Sequence, residues 1–261
     1  MFDFHIHSSV SFDSDTPAKN IAEAAAAAGL REICFTDHWD YLPRPEDKHD
    51  IFSLDEYAKA YDGLAVEGLK IRRGVEIGLN EWNAALCREL ISKREWDFVI
   101  GSVHYADGYD PYVPQYWEGK TVEQAYIRYL EKELECIKLH EDFDVLGHLT
   151  YVCKSPCNPF HAPLPYGECR ELADEIMKLV IRKGRGIEIN TSGVDRGVDL
   201  IPSMDYVRRF RELGGEIITV GSDSHNDIRV GQYCNEVIAQ LKDIFGYVCT
   251  FEKRKPIFHK L

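Results

Sequence analysis

Hydrophobic and polar residues alternate over the first seven positions of the chain, MFDFHIH. Every second residue from Phe2 to Ile6 is apolar, and the polar residues between and after them include His5 and His7. This period of two predicts a β-strand with one buried face. A strand places residues i and i+2 on the same side, so we expect both histidines to reach the same metal ion.

Six further apolar runs of strand length follow, and a segment with helical periodicity lies between each run and the next. The other predicted strands cover residues 32–36, 70–75, 97–103, 144–147, 186–189 and 216–220. The predicted helices cover residues 16–28, 54–67, 82–93, 122–141, 167–183 and 203–213. A last helix is expected to begin near Arg229, and a short apolar strand is expected at residues 247–251. This regular alternation predicts an α/β fold in which helices cover a parallel sheet.

The positions of polar residues decide between an open sheet and a closed barrel. Six of the seven predicted strands carry a histidine, aspartate or glutamate within a few residues of their C-terminal end. In a barrel these ends converge on one bowl, whereas an open sheet would spread them along a row too wide for them to meet. We therefore predict a single domain over residues 1–261, a (β/α)7 barrel with its site at the C-terminal ends of the strands.

Six histidines and three carboxylates at or near these strand ends are candidate metal ligands. They are His5, His7, Asp13, His38, Glu76, His104, His148, Asp223 and His225. A structural role is the simpler interpretation for any one of them, but not for all nine at successive strand ends. Zinc usually takes four ligands, so nine residues fit two or three ions if one carboxylate bridges. This donor set favours Zn, Mn or Fe over Ca or Mg, and such clusters activate water and clamp phosphoryl groups.

Charge and composition limit the classes of partner. The 261 residues carry a formal net charge of −13, which argues against long nucleic acids and anionic membranes but not against a small phosphorylated substrate at a locally positive site. No apolar run is long enough to span a membrane, and no leader-like segment precedes the first strand. The eight cysteines are scattered without a C-x-x-C motif. We therefore expect reduced thiols and a cytoplasmic protein.

The motifs at the strand ends resemble those of the polymerase and histidinol phosphatase (PHP) family of metal-dependent phosphoesterases. They occur in the family's order from one end of the chain to the other: His5-Ile6-His7, Thr36-Asp37-His38, Gly74-Val75-Glu76, Ser102-Val103-His104, Gly147-His148 and Gly221-Ser222-Asp223-Ser224-His225. The resemblance implies a distorted seven-unit β/α barrel with a trinuclear metal site.

The resemblance also implies how the nine ligands are grouped. The first ion would be bound by His5, His7, Glu76 and Asp223. The second would share Glu76 and add His104 and His148. The third would be bound by Asp13, His38 and His225. Many family members have histidine where this chain has Asp13, so the third set departs from the common pattern.

Within the family, the chain is most similar to the stand-alone histidinol-phosphate phosphatases of the barrel type. The similarity rests on length, on the segment 188–193 with Arg196 close after it, and on Lys154, a basic residue after the Gly-His strand where this subfamily often has arginine. It implies a role in histidine biosynthesis, the hydrolysis of L-histidinol phosphate to L-histidinol and phosphate. We predict attack by a metal-bridging hydroxide, with Lys154 and Arg196 holding the phosphate oxygens and Asp13 or His225 passing a proton to the leaving alkoxide.

Several alternatives remain open at the level of sequence. The chain could be a PHP-type phosphodiesterase or nuclease acting on nucleotides or short oligonucleotides, a phosphotyrosine phosphatase, or a metal-bound scaffold without activity. Lys154 and Arg196 could be solvated surface charges. The aromatic loop 105–117 and the acidic loop 40–50 could line the pocket, where they would meet a flat group and an amine, or they could have no role in binding. We assign the histidines outside the nine to the surface or to a loop: His49, His140, His161 and His259.

Overall fold

Seven parallel strands lie side by side in the order in which they occur along the chain. The computed structural model describes residues 1–42, 50–158 and 162–261. The strands are β1 (Phe2–Ile6), β2 (Glu32–Phe35), β3 (His38–Trp39), β4 (Lys70–Gly78), β5 (Phe98–Ser102), β6 (Val145–Leu146), β7 (Gly186–Asn190) and β8 (Ile218–Gly221). The short strand β3 follows β2 and pairs in parallel with the end of β4. All seven predicted strands are thus confirmed, and each lies beside its neighbour in sequence.

The sheet nearly closes because the segment after β8 returns to β1. The backbone N–H of Asp223 donates to the carbonyl of His5, and that of His7 donates to the carbonyl of Ser224, each at 2.8 Å. The buried carboxylate of Asp3 strengthens this seam, since it accepts hydrogen bonds from the backbone N–H and hydroxyl of Ser222 at 2.9 and 2.5 Å. The fold is therefore a nearly closed α/β barrel, as predicted.

Helices connect successive strands and cover the outside of the barrel. They are α1 (Ala18–Ala27), α2 (Leu54–Tyr61), α3 (Ala84–Ser92), α4 (Pro114–Trp117), α5 (Val122–Leu139), α6 (Arg170–Arg182), α7 (Met204–Glu212) and α8 (Cys234–Leu241). Two of them begin with a capping box, at Ser53 with Glu56 and at Thr121 with Gln124. Helix α2 ends six residues before the predicted boundary, two residues ahead of Gly63, which has a left-handed φ of 91°.

A β-hairpin covers the N-terminal end of the barrel. It pairs β9 (Tyr247–Glu252) with β10 (Lys255–Lys260) in antiparallel register. The Phe251 ring packs against Phe98 at 4.8 Å between centroids, and the guanidinium of Arg72 donates to Glu252 at 2.9 Å. Strand β9 was predicted, whereas β10 was not. The hairpin leaves the opposite, C-terminal end of the barrel as the rim available for a site.

The four histidines assigned to the surface or a loop have different environments. The surface assignment of His140 is wrong, since it is only 2% exposed and its Nε2 lies 2.8 Å from the carbonyl oxygen of Asn80. His259 is half-buried, with its ring 4.4 Å from that of Phe2. His49 and His161 lie outside the described residues. The eight cysteines are free thiols, as expected. Among the described helices, none has the length and apolar character needed to cross a lipid bilayer.

Candidate metal centre

The C-terminal rim of the barrel brings all nine predicted ligands together. Strand β1 and the residue after it supply His5 and His7, and β4 supplies Glu76 from its interior. The remaining ligands follow strand ends or lie on short segments beside them: Asp13, His38, His104, His148, Asp223 and His225. We describe the nine residues in the three groups that the family resemblance implies and call them the first, second and third ligand sets; they adjoin one another, since His38 Nδ1 also lies 3.0 Å from Glu76 Oε2.

The first ligand set consists of His5, His7, Glu76 and Asp223 and is buried. Glu76 Oε2 lies 3.3 Å from the Nε2 of His5 and 3.5 Å from the Nε2 of His7. Asp223 Oδ1 lies 3.7 and 3.3 Å from the same two nitrogens. The ligand atoms of His5, His7 and Glu76 all lie within 4.8 Å of one another, which suits one transition-metal ion, and the Asp223 carboxylate adjoins them.

The second ligand set uses the other oxygen of Glu76. Its Oε1 lies 2.9 Å from the Nε2 of His148 and 3.4 Å from the Nε2 of His104. The hydroxyl of Ser102 also donates to Oε1, at 2.6 Å. Because the two oxygens of Glu76 face different sets, this carboxylate is placed to bridge two ions.

The third ligand set, Asp13, His38 and His225, is more exposed than the first two. Asp13 Oδ2 lies 2.9 Å from the Nε2 of His225 and 3.6 Å from the Nε2 of His38. The side chains of Asp13 and His225 are 33% and 29% exposed, whereas those of His5 and Glu76 are fully buried. The rings of His38 and His225 each stack on His7 at 4.2 Å, which joins the third set to the first.

Several ligand atoms lack a hydrogen bond although they are buried. Among the described residues, no hydrogen-bond partner of suitable geometry is available to the Nε2 atoms of His5 and His7 or to the Oε2 of Glu76. A buried polar atom without a partner costs roughly 1–3 kcal/mol. The unsatisfied nitrogen and oxygen atoms face each other, and each has a lone pair that can coordinate a metal ion. These residues therefore fit a bound metal ion.

The carboxylate of Glu188 supports two of the ligands and was not predicted as a site residue. Its Oε1 accepts a hydrogen bond from the Nδ1 of His5 at 2.6 Å, and its Oε2 accepts one from the backbone N–H of His148 at 2.9 Å. Such a carboxylate fixes the tautomer of the imidazole and directs Nε2 towards the metal position. A Cβ at Gly221 would lie 2.5 Å from Oε1 of Glu188, so glycine is required at position 221.

Asp40 plays a comparable part for two other histidines and was not predicted as a site residue either. Its Oδ1 lies 2.9 Å from the Nδ1 of His104, and its Oδ2 lies 3.3 Å from the Nδ1 of His38. A Cβ at Gly78 would lie only 1.7 Å from Oδ1, so the absence of a side chain at that position makes room for this carboxylate. The signal in the sequence is the spacing of Asp40 two residues after His38, on the same side of a strand.

Burial and mutual charge shift the pKa values of the ligands in opposite directions. Burial alone would raise the pKa of Glu76, but the imidazoles of His5, His38 and His104 outweigh it and hold that pKa well below its usual range. Burial and the neighbouring His38 and His225 lower the pKa of His7 well below its usual value. Glu76 is therefore ionised and His7 neutral, the forms that bind metal ions, whereas neighbouring carboxylates outweigh burial and raise the pKa values of His5, His38 and His104.

A cavity of about 430 Å³ opens directly above the ligand sets. Lys154 and Arg196, the predicted phosphate-binding residues, both line it, as does Arg229, which was not predicted. Lys154 is buried, forms an ion pair with Asp223 and donates to the hydroxyl of Ser192 at 3.0 Å. The structure thus places Lys154 inside the site, where burial would lower its pKa but the Asp223 carboxylate outweighs burial and raises it.

Two loops that were candidates for lining the pocket contribute to the cavity wall. The aromatic loop contributes Tyr105, Asp110 and Tyr112, and the acidic loop contributes Asp40 and Asp50. Residues 43–49 of the acidic loop lie outside the described residues. The guanidinium of Arg196 lies 5.2 Å from the ring centroid of Tyr112, a cation–π arrangement at the mouth of the cavity.

A nearly closed β/α barrel that gathers six imidazoles and three carboxylates at one rim has the architecture of a metal-dependent enzyme. The sequence profile of the PHP domain matches residues 3–192, and the chain belongs to this family. The resemblance drawn from the strand-end motifs is thereby confirmed.

Individual relatives carry one activity in their names. The chain is 34% identical over 230 residues to the histidinol-phosphatase of Lactococcus lactis subsp. lactis, covering 85% of this chain and 83% of that protein. It is 31% identical over 267 residues to a Clostridium acetobutylicum protein named probable histidinol-phosphatase, covering 97% and 98%.

Two solved structures share the fold. The histidinol phosphate phosphatase of L. lactis, complexed with zinc, L-histidinol and phosphate, matches with a TM-score of 0.88 and 29% identity over 98% of each chain. A structure from Listeria monocytogenes matches with a TM-score of 0.74 and 19% identity, over 90% of this chain and 99% of that one. The second likeness concerns the fold alone, and the first confirms the predicted barrel.

Proposed function

We propose that this protein is a histidinol-phosphatase that hydrolyses L-histidinol phosphate to L-histidinol and phosphate. The observation that carries the proposal is the position of two cations, Lys154 and Arg196, in one cavity with the three ligand sets. A phosphate monoester needs positive charge around its oxygens and an activated water beside its phosphorus, and this cavity combines residues suited to both. The named activity of the relatives and the ligands of the L. lactis structure support the same substrate.

We assign the nine rim residues as ligands of two or three divalent ions. Zinc is the metal in the L. lactis structure, and Mn and Fe suit the same imidazole and carboxylate donors. When bound, such ions lower the pKa of a water molecule and neutralise charge on a phosphoryl group. The grouping proposed for the ions is that of the three ligand sets, with Glu76 shared by the first two.

The side chains of the cavity have separate roles in this proposal. Lys154 and Arg196 bind the non-bridging phosphate oxygens, and the charge of Lys154 also orients Asp223. Asp13 or His225 passes a proton to the leaving alkoxide, since the two lie 2.9 Å apart and are the more exposed members of the rim. The His225 imidazole beside Asp13, together with His38, outweighs burial and holds the pKa of Asp13 below its usual range. Asp13 is therefore ionised, the form in which a carboxylate binds a metal ion.

The proposal places the reaction in histidine biosynthesis and in the cytoplasm, with a small phosphorylated compound as the binding partner. The net charge of −13 disfavours a long nucleic acid as substrate. The acidic side chains of Asp50 and Asp110 in the cavity wall oppose a second phosphate group. These features favour a monoester over the phosphodiesters that a nuclease would cleave.

The decisive experiment is steady-state hydrolysis of L-histidinol phosphate by the Zn- or Mn-loaded protein. Nucleoside monophosphates, phosphotyrosine and a bis-aryl phosphodiester serve as competing substrates, and His7→Ala serves as the inactive control. We expect kcat/KM of roughly 10⁴–10⁸ M⁻¹s⁻¹ for L-histidinol phosphate, lost in the variant. Hydrolysis of the diester, nucleotides or phosphotyrosine alone would replace the substrate assignment. No turnover of any compound by the metal-loaded protein would favour the scaffold.

A further inference from the structure

The carboxylate of Asp110 lines the cavity but takes no part in the proposed metal centre. Among the described residues, five aspartates line the cavity: Asp13, Asp40, Asp50, Asp110 and Asp223. Two are assigned as metal ligands, and Asp40 is engaged by the imidazoles of His38 and His104. This leaves Asp50 and Asp110 as carboxylates that face the cavity without a part in the centre.

Within the described part of the chain, the groups that donate to Asp110 are all neutral. Its Oδ1 accepts a hydrogen bond from the backbone N–H of Tyr112 at 2.8 Å, and the hydroxyl of Tyr151 lies 3.3 and 3.5 Å from its two oxygens. Among the described residues, no lysine or arginine forms an ion pair with it. Burial raises the pKa of Asp110, because the negative charge loses solvation there. A cationic group that entered the cavity would supply the charge that the protein does not.

Asp110 lies close to the position where the phosphate is proposed to bind. Tyr151, whose hydroxyl contacts Asp110, has its ring 4.9 Å from that of His148 and 5.4 Å from that of His104, both in the second ligand set. The amine of L-histidinol phosphate is separated from phosphorus by an oxygen and two carbons, which spans roughly 4–5 Å at ordinary bond lengths. The Tyr151 ring therefore separates Asp110 from the second ligand set. A substrate with its phosphate at the ligand sets would place its amine close to the Asp110 carboxylate.

The two residues that follow Asp110 are held in place by contacts with the rest of the protein. The carbonyl of Pro111 accepts hydrogen bonds from the indole N–H of Trp117 at 2.7 Å and from the hydroxyl of Ser155 at 2.5 Å. The thiol of Cys157 contacts the carbonyl of Tyr112 at 3.2 Å. These contacts fix the carboxylate before substrate arrives, so binding does not have to order the loop.

We propose that Asp110 binds the ammonium group of the substrate and thereby selects aminated phosphate monoesters over their deaminated counterparts. The inference rests on the proposed function, which supplies the phosphate end of the substrate. In this arrangement the ligand sets, Lys154 and Arg196 bind the anionic end, and Asp110 binds the cationic end. Asp110 is thus a specificity residue, whose charge acts on the amine and not on the phosphorus.

The test compares two substrates that differ only in the amine. These are L-histidinol phosphate and 3-(imidazol-4-yl)propyl phosphate, each measured by kcat/KM with the Zn-loaded protein. We expect the wild-type protein to prefer the amine by about 10- to 100-fold, the range for a hydrogen bond to a charged group. In Asp110→Asn this ratio falls towards one. Asparagine has the same shape and still accepts the hydrogen bond of Tyr112, so the variant removes the charge while keeping the turn.

Asp107→Asn is the matched control on the same loop. Asp107 is exposed, lies outside the cavity and pairs with Arg128 at 2.7 Å, so its variant keeps the wild-type ratio between the two substrates. An unchanged ratio in Asp110→Asn, or a loss of preference in Asp50→Asn in its place, would overturn the assignment. Thermal unfolding of all three variants shows whether any loss of activity follows from loss of fold.

If the histidinol-phosphatase assignment is wrong, the experiment gives a different result from the one expected if only the role of Asp110 is wrong. A wild-type protein that ignores L-histidinol phosphate but hydrolyses other monoesters rejects that function. Asp110 is then judged on O-phosphoethanolamine against ethyl phosphate, which again differ by one amine. A preference for the amine that depends on Asp110 supports the ammonium subsite, and equal rates in wild type and variant reject it.

Discussion

The two ends of the barrel both bury charged side chains, but the partners of these side chains differ between the ends. At the N-terminal end, Arg72 donates to Glu32 at 2.6 Å and to Glu252 at 2.9 Å, and Arg254 donates to Asp144 at 2.5 Å. At the C-terminal rim, histidines and carboxylates converge instead, and several of their buried atoms have no hydrogen bond.

The difference separates a structural cluster from a functional one. At the N-terminal end, the charges within each ion pair neutralise each other, and the pairs join the hairpin to the barrel. Ligands that face one another without a proton or a partner between them are stable in this arrangement only when something else satisfies them. Changes at the two ends should therefore have opposite signatures: loss of activity at the rim, and loss of stability at the hairpin.

The largest effect is expected from Glu76→Gln at the rim. The amide keeps the shape of the side chain but cannot supply two anionic oxygens to the first and second ligand sets. We expect kcat/KM to fall by roughly 10³-fold or more, together with a loss of bound metal measured by elemental analysis. A fully active Glu76→Gln protein with unchanged metal content would contradict the shared role of this carboxylate.

At the hairpin end, Arg72→Met is expected to lower the free energy of unfolding by about 3–5 kcal/mol, because it removes the only hydrogen-bonded cation from the buried Glu32 carboxylate among the described residues. Urea denaturation measures this change. The rate per folded molecule should stay at the wild-type value. Lys70→Met is the matched control, since Lys70 approaches the same two glutamates at 3.7 and 3.8 Å but is half exposed. Its effect should stay within about 1 kcal/mol, and equal losses in both variants would remove the distinction.

Glu188→Gln tests whether the supporting carboxylate acts through the metal ligands. The amide is a weaker acceptor for the Nδ1–H of His5, so we expect metal affinity to fall by about 10- to 100-fold. Competition with a chelator measures the affinity. Activity should recover at high metal concentration, because the ligands themselves remain. A loss of activity that excess metal does not restore would assign Glu188 to another role.

The smallest effect is expected away from both ends, at Glu133 in α5. This side chain is fully buried, and neither carboxylate oxygen has a hydrogen bond within the described residues. Burial therefore raises its pKa well above 4.5 in the folded protein. The stability that comes from the protonated form is fully present below the unfolded pKa and is lost as pH rises through the folded pKa.

Glu133→Gln should remove this part of the pH dependence. We expect the variant to gain on the order of 1–2 kcal/mol relative to wild type between pH 5 and pH 8. Unfolding free energies at the two pH values measure the gain. Parallel pH profiles for wild type and variant would show that Glu133 has the same pKa in the folded and unfolded chain.

Strands and metal-ligand candidates could be predicted from the sequence because both depend on local spacing. His5 and His7 share a face in any strand, and a polar residue at the end of an apolar run marks the rim of a barrel. The role of Glu188 could not be read in this way. Its partner His5 lies 183 residues away, and only barrel closure brings the two together.

The incorrect and missed predictions also have physical reasons. Strand β10 combines Lys255, Pro256 and Lys260 with few apolar residues, so it depends on pairing with β9 and has no clear pattern of its own. His140 follows the charged end of α5, which is typical of a surface position, yet it is buried against Asn80. Lys154 was expected as a phosphate ligand, and its ion pair with Asp223 could not be foreseen because the two are 69 residues apart.

The seam between β1 and the segment after β8 sets an order of assembly for the centre. The first ligand set joins His5 and His7 to Asp223, and the third joins Asp13 to His225, so each spans almost the whole chain. The second set uses Glu76, His104 and His148, all from the middle of the sequence. All residues of the second set are therefore synthesised before the other two sets have their last members, Asp223 and His225. Binding of the proposed ions at all three sets would therefore require residues from both ends of the sequence.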